Sequence, residues 1–409
     1  MRDPIETRLA AAGLPPLPRT AWLEIDLDAL VSNLGVLRAA AGRSLRIRPV
    51  VKADAYGHGA VQVARTLVEA GVDGLCVATL DEALALRAAG IEAPLLVMYP
   101  VPPVWAAEVA RAGITVSAGD PELLGATLAA HASDGTALPL RFELEVETGL
   151  GRGGVEEAGS VEAARMIAAA PGAVVVGMWT HLQAPEDPDR TARQLARFDA
   201  TTAALQTAGF ALPARHATAS GGLVIGDIAA YDGVRPGLAV YGLFPDELSA
   251  TQRTTKVASL LRPALSLHAR PVRVVDLPAG WGISYGPTFV TARPSRIATL
   301  PLGYGDGWSR ALSNRASALV RGQRVPIVGN VAMDAVMADV TDVPGPPITP
   351  ADEFTLIGVQ GSERITVAEL AQTRTTNSWE VVTGMARRLP RVYDAASGPV
   401  GLRTLTERS

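Results

Sequence analysis

Apolar and polar positions fall into two rhythms along the chain. From residue 44 onward, short β-rich runs alternate with helical runs rich in Ala, Leu and Arg. The runs at 45–51, 74–78, 94–99, 114–117, 139–146, 173–180, 214–218 and 233–241 read as strands. Those at 60–70, 81–89, 103–112, 121–131, 157–169, 190–208 and 221–230 read as helices. Ala70-Gly71, Ala89-Gly90, Ala112-Gly113 and Ala208-Gly209 supply stop signals. Eight such units in about 200 residues predict a (β/α)8 barrel rather than an open sheet. Past Lys256 the period changes to short alternating runs separated by Gly and Pro: 264–275, 296–302, 316–320, 325–328, 336–340 and 353–357. These predict a separate, mainly-β domain, with helices at 366–372 and 378–388.

The expected organisation is an N-terminal extension (1–19), a barrel (29–255) and a C-terminal β-domain (256–409). The extension reads as a short helix, Ile5 to Ala12, and a Pro-rich connector, with no function assigned. Residues 20–28 alternate apolar and polar as a half-buried strand does.

Composition narrows the function classes. Apolar residues make up 48% of the 409, enough for a large core, and aromatics only 5%, so that core is mostly Ala, Val and Leu. A net charge of −4 without a basic, aromatic-interleaved cluster argues against nucleic acid. The single cysteine, Cys76, excludes an intrachain disulfide and reads as a buried thiol. The N-terminus lacks a signal peptide's apolar core, and no run approaches the ~18 apolar residues of a membrane span. The expectation is a cytoplasmic protein with no membrane partner.

Against that background Lys52 stands out. Of 37 basic residues only Lys52 and Lys256 are lysine. Arginine replaces a surface lysine readily, but it offers no free amine for a Schiff base. Lys52 ends the first strand, where barrels place their chemistry. Other polar groups fall at later strand ends: Glu147 to Gly154 with Arg152, Thr180-His181, Ser220-Gly221-Gly222, and Arg235-Pro236-Gly237 with Tyr241. Ser220-Gly221-Gly222 opens a helix after strand seven and has the physics of an anion cup, to which Gly237 could add an N–H. Arg235 sits in an otherwise apolar strand, so its charge is expected inside the site. His216 lies before the site face and reads as structural or supporting. No His, Cys or carboxylate cluster has metal-ligand spacing. A phosphate cup opposite an imine-forming lysine fits pyridoxal 5'-phosphate.

These residues also carry a resemblance. Val51-Lys52-Ala53-Asp54-Ala55-Tyr56-Gly57-His58-Gly59 closely resembles the cofactor-lysine signature of the alanine racemases. The match runs on in order through Glu147 to Gly153, Thr180-His181, His216 to Ser220, Val234 to Gly237 and Tyr241-Gly242. It continues with Gly282 to Gly286, Gly303 to Gly307 and Met333-Asp334, and covers nearly the whole chain past residue 20. The resemblance implies that strand 20–28 joins the β-domain, and that a head-to-tail homodimer shares two composite active sites. It implies that Lys52 holds pyridoxal phosphate and serves as base on one face of a small amino-acid substrate. Tyr285 of the other subunit would act on the opposite face. Arg235 would contact the pyridine nitrogen, and Arg152 the ring oxygen and substrate carboxylate. Tyr56, Ser220 and the Gly237 and Leu238 amides would hold the phosphate, Met333 would line the substrate site, and His181 would support Arg235 and the tyrosine.

Four positions depart from the family pattern. Glu145 stands where many relatives carry a carbamylated lysine, and is expected to orient Arg152. Trp379 replaces a phosphate-binding tyrosine, Ala219 an asparagine, and Ala332 a cysteine. The activity implied is racemisation of alanine to supply D-alanine for peptidoglycan. A racemase of serine or of wider specificity, and a non-catalytic pyridoxal-phosphate carrier, stay open as alternatives.

Overall fold

The computed structural model describes residues 3–42, 44–211, 214–226, 229, 231–248, 251–252 and 255–406. The chain divides into two compact units. One comprises Leu30–Ala55 and Ala60–Arg262; the other comprises the residues up to Ala29, Tyr56–Gly59, and those from Pro263 onward.

The first unit is the barrel. Its strands are Arg46–Ile47, Leu75–Val77, Leu95–Val97, Thr115–Ala118, Leu140–Glu147, Ala173–Trp179, Arg215–Ala219 and Gly233–Arg235. From Leu75–Val77 onward each pairs in parallel with the next in chain order, as Leu75 with Leu95 and Leu96 with Thr115. The first strand closes the ring. Arg46 and Ile47 pair with Gly233 and Val234, and Val50 then bridges to Cys76 on the other side. Side chains such as Ile47, Val77, Val97, Phe142 and Leu144 are buried in this unit.

The eighth strand is shorter than the 233–241 expected. Pro236 has no N–H for the ladder, and the chain turns into a 3-10 helix, Leu238–Tyr241. The predicted helix at 221–230 runs Ser220–Ile225 and stops at Gly226, φ +85°; positions 227, 228 and 230 lie outside the described residues. A helix at Leu27–Ala41, absent from the sequence reading, precedes the first barrel strand. Several helix starts are fixed by side chains: Asp120 caps Pro121–Asp134, Asp187 caps Pro188–Thr207, and Thr79 with Glu82 forms a capping box.

The second unit is built on an eleven-stranded, mostly antiparallel sheet. Ala21–Asp26 lies inside it, antiparallel to Leu265–Ala269 and parallel to Arg391–Ala395. The run expected at 264–275 is two strands, Leu265–Ala269 and Arg273–Leu277, which pair with different partners across a break at Pro271. The hairpin Arg391–Ala395 with Gly398–Arg403 was not anticipated. The helix expected at 378–388 is confined to Ser378–Thr383. The short helix Ile5–Ala11 packs Ile5 and Leu9 on Trp22, Val392 and Leu402. Its Arg8 bridges the buried Glu24 and Asp394.

Candidate active site

Lys52 follows the last paired residue of the first barrel strand, where the Val51 amide donates to the Cys76 carbonyl at 2.8 Å. The next four residues, Ala53, Asp54, Ala55 and Tyr56, all take φ between +51° and +56°. A left-handed turn of non-glycine residues costs roughly 1–2 kcal/mol per residue, so it persists only where other contacts hold it. Here Glu82 Oε1 accepts from the Ala53 amide at 2.6 Å, and Asp54 Oδ1 from the Ala60 amide at 2.9 Å. The Lys52 ammonium has no ion-pair partner among the described residues. Burial lowers its pKa, the positive charge of Arg152 lowers it further, and Glu82 opposes both.

Arg152 sits on a loop wound about Glu147. The Glu147 carboxylate accepts from the amides of Gly149, Leu150 (2.7 Å), Gly151 (2.8 Å) and Arg152 (3.3 Å). The Arg152 guanidinium then lies 3.6 Å from Glu145 Oε1 and 5.8 Å from the centre of the Tyr99 ring. Burial raises the Glu145 pKa, and Arg152 and Arg235 oppose the rise.

Arg235 is fully buried over the Trp179 ring, 4.7 Å from its centre. Its Nη2 donates to the Thr180 carbonyl at 2.7 Å, and its Nη1 to the His216 carbonyl at 3.0 Å and to His216 Nδ1. His216 Nε2 in turn donates to Glu143 at 2.7 Å, and Arg48 pairs with the same carboxylate at 2.6 Å. Burial and the nearby Arg48 charge push His216 down to about 3, so it is neutral and can accept from Arg235. Burial alone would raise the Glu143 pKa, but Arg48 and His216 hold it well below the usual carboxylate range. The Arg235 Nε hydrogen, by contrast, has no acceptor among the described residues. Burial moves the Arg235 pKa down to about 10, which leaves the group charged at neutral pH.

The imidazole bonded to Arg235 is thus that of His216, where the resemblance implied support from His181. His181 is half-buried, its Nδ1 buried and unpartnered among the described residues, and desolvation with the charges of Arg235, Arg152 and Lys52 pushes it down to about 3. Those three positive charges therefore all act on one neutral imidazole. Ser220 Oγ accepts from the Gly237 amide at 2.9 Å and from the Ala239 amide at 3.1 Å, so the Gly237 N–H is engaged within the protein. Leu238 begins the 3-10 turn beside it. Tyr241 is a buried brace, its hydroxyl donating to the Val50 carbonyl at 2.9 Å.

In the second unit Tyr56 is buried, and its carbonyl accepts from His58 Nδ1 at 2.9 Å. Tyr285 is 77% exposed and Met333 52% exposed. Trp379 lies in the first turn of the helix capped by Asn377. Sequence reasoning missed Glu82, Arg48, Glu143 and Tyr99. The capping-box spacing Thr79 to Glu82 was a readable signal. So was the placing of Glu143, Glu145 and Glu147 at every second residue of one strand, which puts three carboxylates on one face.

The family model for the N-terminal domain of alanine racemase matches residues 25–245, and that for its C-terminal domain matches 264–393. An alanine racemase of Symbiobacterium thermophilum is 43% identical over 379 residues, covering 92% of this chain and 97% of the relative. One from Desulfosudis oleivorans is 37% identical over 387 residues, 91% of this chain and 96% of that protein. Among solved structures, the alanine racemase from Bacillus anthracis with bound L-Ala-P superposes with a TM-score of 0.88 at 33% identity, covering 95% of this chain and 98% of that one. The enzyme from D-cycloserine-producing Streptomyces lavendulae gives 0.82 at 35% identity, over 92% and 98%. The chain belongs to the alanine racemase family.

Proposed function

We propose that this protein interconverts L- and D-alanine with pyridoxal 5'-phosphate, as a homodimer with shared active sites, and supplies D-alanine for peptidoglycan in the cytoplasm. Among the described residues, no helix is long and apolar enough to cross a membrane. The observation that carries the reading is the buried Arg235 Nε hydrogen, without an acceptor among the described residues, at a strand end whose charge field also includes Lys52 and Arg152. A heteroaromatic nitrogen is the acceptor such a donor fits. Lys52, with its lowered pKa, fits the aldehyde, and Ser220 at the end of strand seven fits the phosphate.

When bound, the cofactor acidifies the substrate's α-proton by withdrawing electrons from the α-carbon. The protein's own work is proton placement. Lys52 Nζ takes or returns the α-proton on one face, and the Tyr285 hydroxyl of the partner subunit serves the other. A lowered amine pKa keeps more of Lys52 in the basic form near neutral pH. Arg152, braced by Glu145, holds the substrate carboxylate. Arg235 remains a cation because neutral His216 accepts from it and removes no proton, so Arg235 would offer a bound ring nitrogen a hydrogen bond and no proton. Tyr56, Leu238 and Trp379 complete the cofactor's set of contacts, and Met333 lines the substrate side.

The test is direct. Purified protein supplied with pyridoxal phosphate should show a visible absorption band from the lysine-bound aldehyde. It should wash α-deuterium out of both enantiomers of alanine. Lys52→Ala should lose the absorption and the activity together. Absorption that survives this substitution overturns the cofactor assignment, and exchange of serine without alanine selects the wider-specificity racemase.

A further inference from the structure

The loop that presents Tyr285 is fastened from behind by one side chain. Asn330 Nδ2 donates to the Tyr285 carbonyl at 2.8 Å and to the Gly286 carbonyl at 3.1 Å. Ser284 Oγ donates back to the Asn330 carbonyl at 2.6 Å. The backbone on both sides of Tyr285 is left-handed, with Ser284 at φ +63° and Gly286 at φ +49°. Such a conformation at Ser284 is unfavourable on its own and needs external support. The two loops meet backbone to backbone, because a Cβ on Gly329 (φ +76°) would lie 2.7 Å from the Ile283 carbonyl. Asn314 secures the far side: its Oδ1 accepts from the Gly329 amide at 2.6 Å, and its Nδ2 donates to Thr288 Oγ1 at 2.9 Å.

Within its own chain the Tyr285 side chain is mostly exposed, so intrachain packing does little to place it. Its backbone decides where the phenol starts. We propose that Asn330 is a positioning residue for Tyr285, setting where the hydroxyl stands and so how well a proton is handled on that face of the substrate. The inference rests on the two-base reading above and adds the residue that tunes one of its bases.

A structural brace and a positioning residue differ in one ratio. After Lys52 takes a deuteron, its ammonium carries it as one of three equivalent hydrogens, so returning a hydrogen to the same face washes out label with retention. Inversion requires the tyrosine. Each α-deuterated enantiomer of alanine is incubated with holoenzyme in ordinary water, and wash-out in recovered substrate is compared with formation of the opposite enantiomer. Asn330→Asp keeps the size and removes the donor. With the enantiomer that Lys52 deprotonates, the ratio of wash-out with retention to inversion should rise about tenfold, the scale expected for a misplaced catalytic group. Asn330→Gln, which keeps an N–H donor, should lie closer to wild type. A ratio unchanged in Asn330→Asp overturns the proposal, whatever happens to the overall rate. The ratio does not depend on the amount of folded enzyme, so a less stable variant still reports it. Tyr285→Phe in the same assay tests the underlying reading: wild-type inversion there would sink the two-base scheme, independently of Asn330.

Discussion

At the scale of single residues, the site combines groups that sequence singled out with groups it did not. Lys52 stood out because a chain that uses arginine almost everywhere kept an amine there. Arg235 stood out as a charge in an apolar strand. Its support was less legible, because His181 is adjacent to the strand end in sequence while His216 is adjacent to Arg235 in space. Glu145 makes the sharpest residue-level prediction. It is buried, its nearest cation is Arg152 at 3.6 Å, and its charge is the local counterweight to Arg152. Glu145→Gln keeps the shape and removes that charge, so Arg152 loses its orientation. Turnover should fall by up to about 100-fold, the loss a displaced positioning group can cause, while cofactor retention judged by visible absorption changes little. Equal loss of both would show that Glu145 serves the cofactor pocket rather than Arg152.

At the scale of elements, alternation made most of the barrel strands readable, since period-2 apolar runs between helical runs leave few other folds. The left-handed turn after Lys52 was not readable. Ala53 and Ala55 disfavour it and only Asp54 tolerates it locally, so it exists because Glu82 and Asp54 hold the amides around it. The hairpin at 391–403 was missed for a related reason: Arg391 is buried by donating to the Gly57, Met385, Ala386 and Leu389 carbonyls, which no local pattern announces. The loop around Glu147 is the element whose function is most exposed to test. One carboxylate gathers four successive amides and so shapes the segment that delivers Arg152. Glu147→Ala frees those amides, each hydrogen bond to a charged acceptor being worth about 1.5–3 kcal/mol. Because Arg152 is proposed to hold the substrate carboxylate, KM for alanine should rise about tenfold or more, by the same misplacement argument, with a smaller change in kcat. Steady-state kinetics decide it, and a fall in kcat at constant KM would remove the loop from substrate binding.

At the scale of the whole molecule, two histidines of the barrel tie its stability to pH. His181 and His216 are both held near pKa 3 in the folded state by burial and neighbouring cations, against about 6.5 in an unfolded chain. Between those values the unfolded chain binds protons that the folded one refuses. Unfolding is therefore favoured as pH falls: the stability is fully present above about pH 6.5 and is lost progressively toward about pH 3. Each histidine contributes a slope of roughly 1.4 kcal/mol per pH unit across that window. Glu143, whose pKa is also held low, adds loss of the same sign once the pH drops below the ordinary carboxylate range. Total stability of a domain is only about 5–15 kcal/mol, so the barrel should unfold in mild acid, above the pH at which carboxylates alone would drive it. Urea unfolding followed by circular dichroism at a series of pH values should show stability flat from about pH 8 to 7 and falling steeply below about 6. Proton NMR of the folded protein should find neither imidazole titrating above pH 5, roughly midway between the folded and unfolded values. An imidazole assigned to His216 that protonates near 6.5 in the folded state would mean that Arg235 lacks its neutral acceptor, and the arrangement proposed to keep the ring nitrogen unprotonated would fall with it.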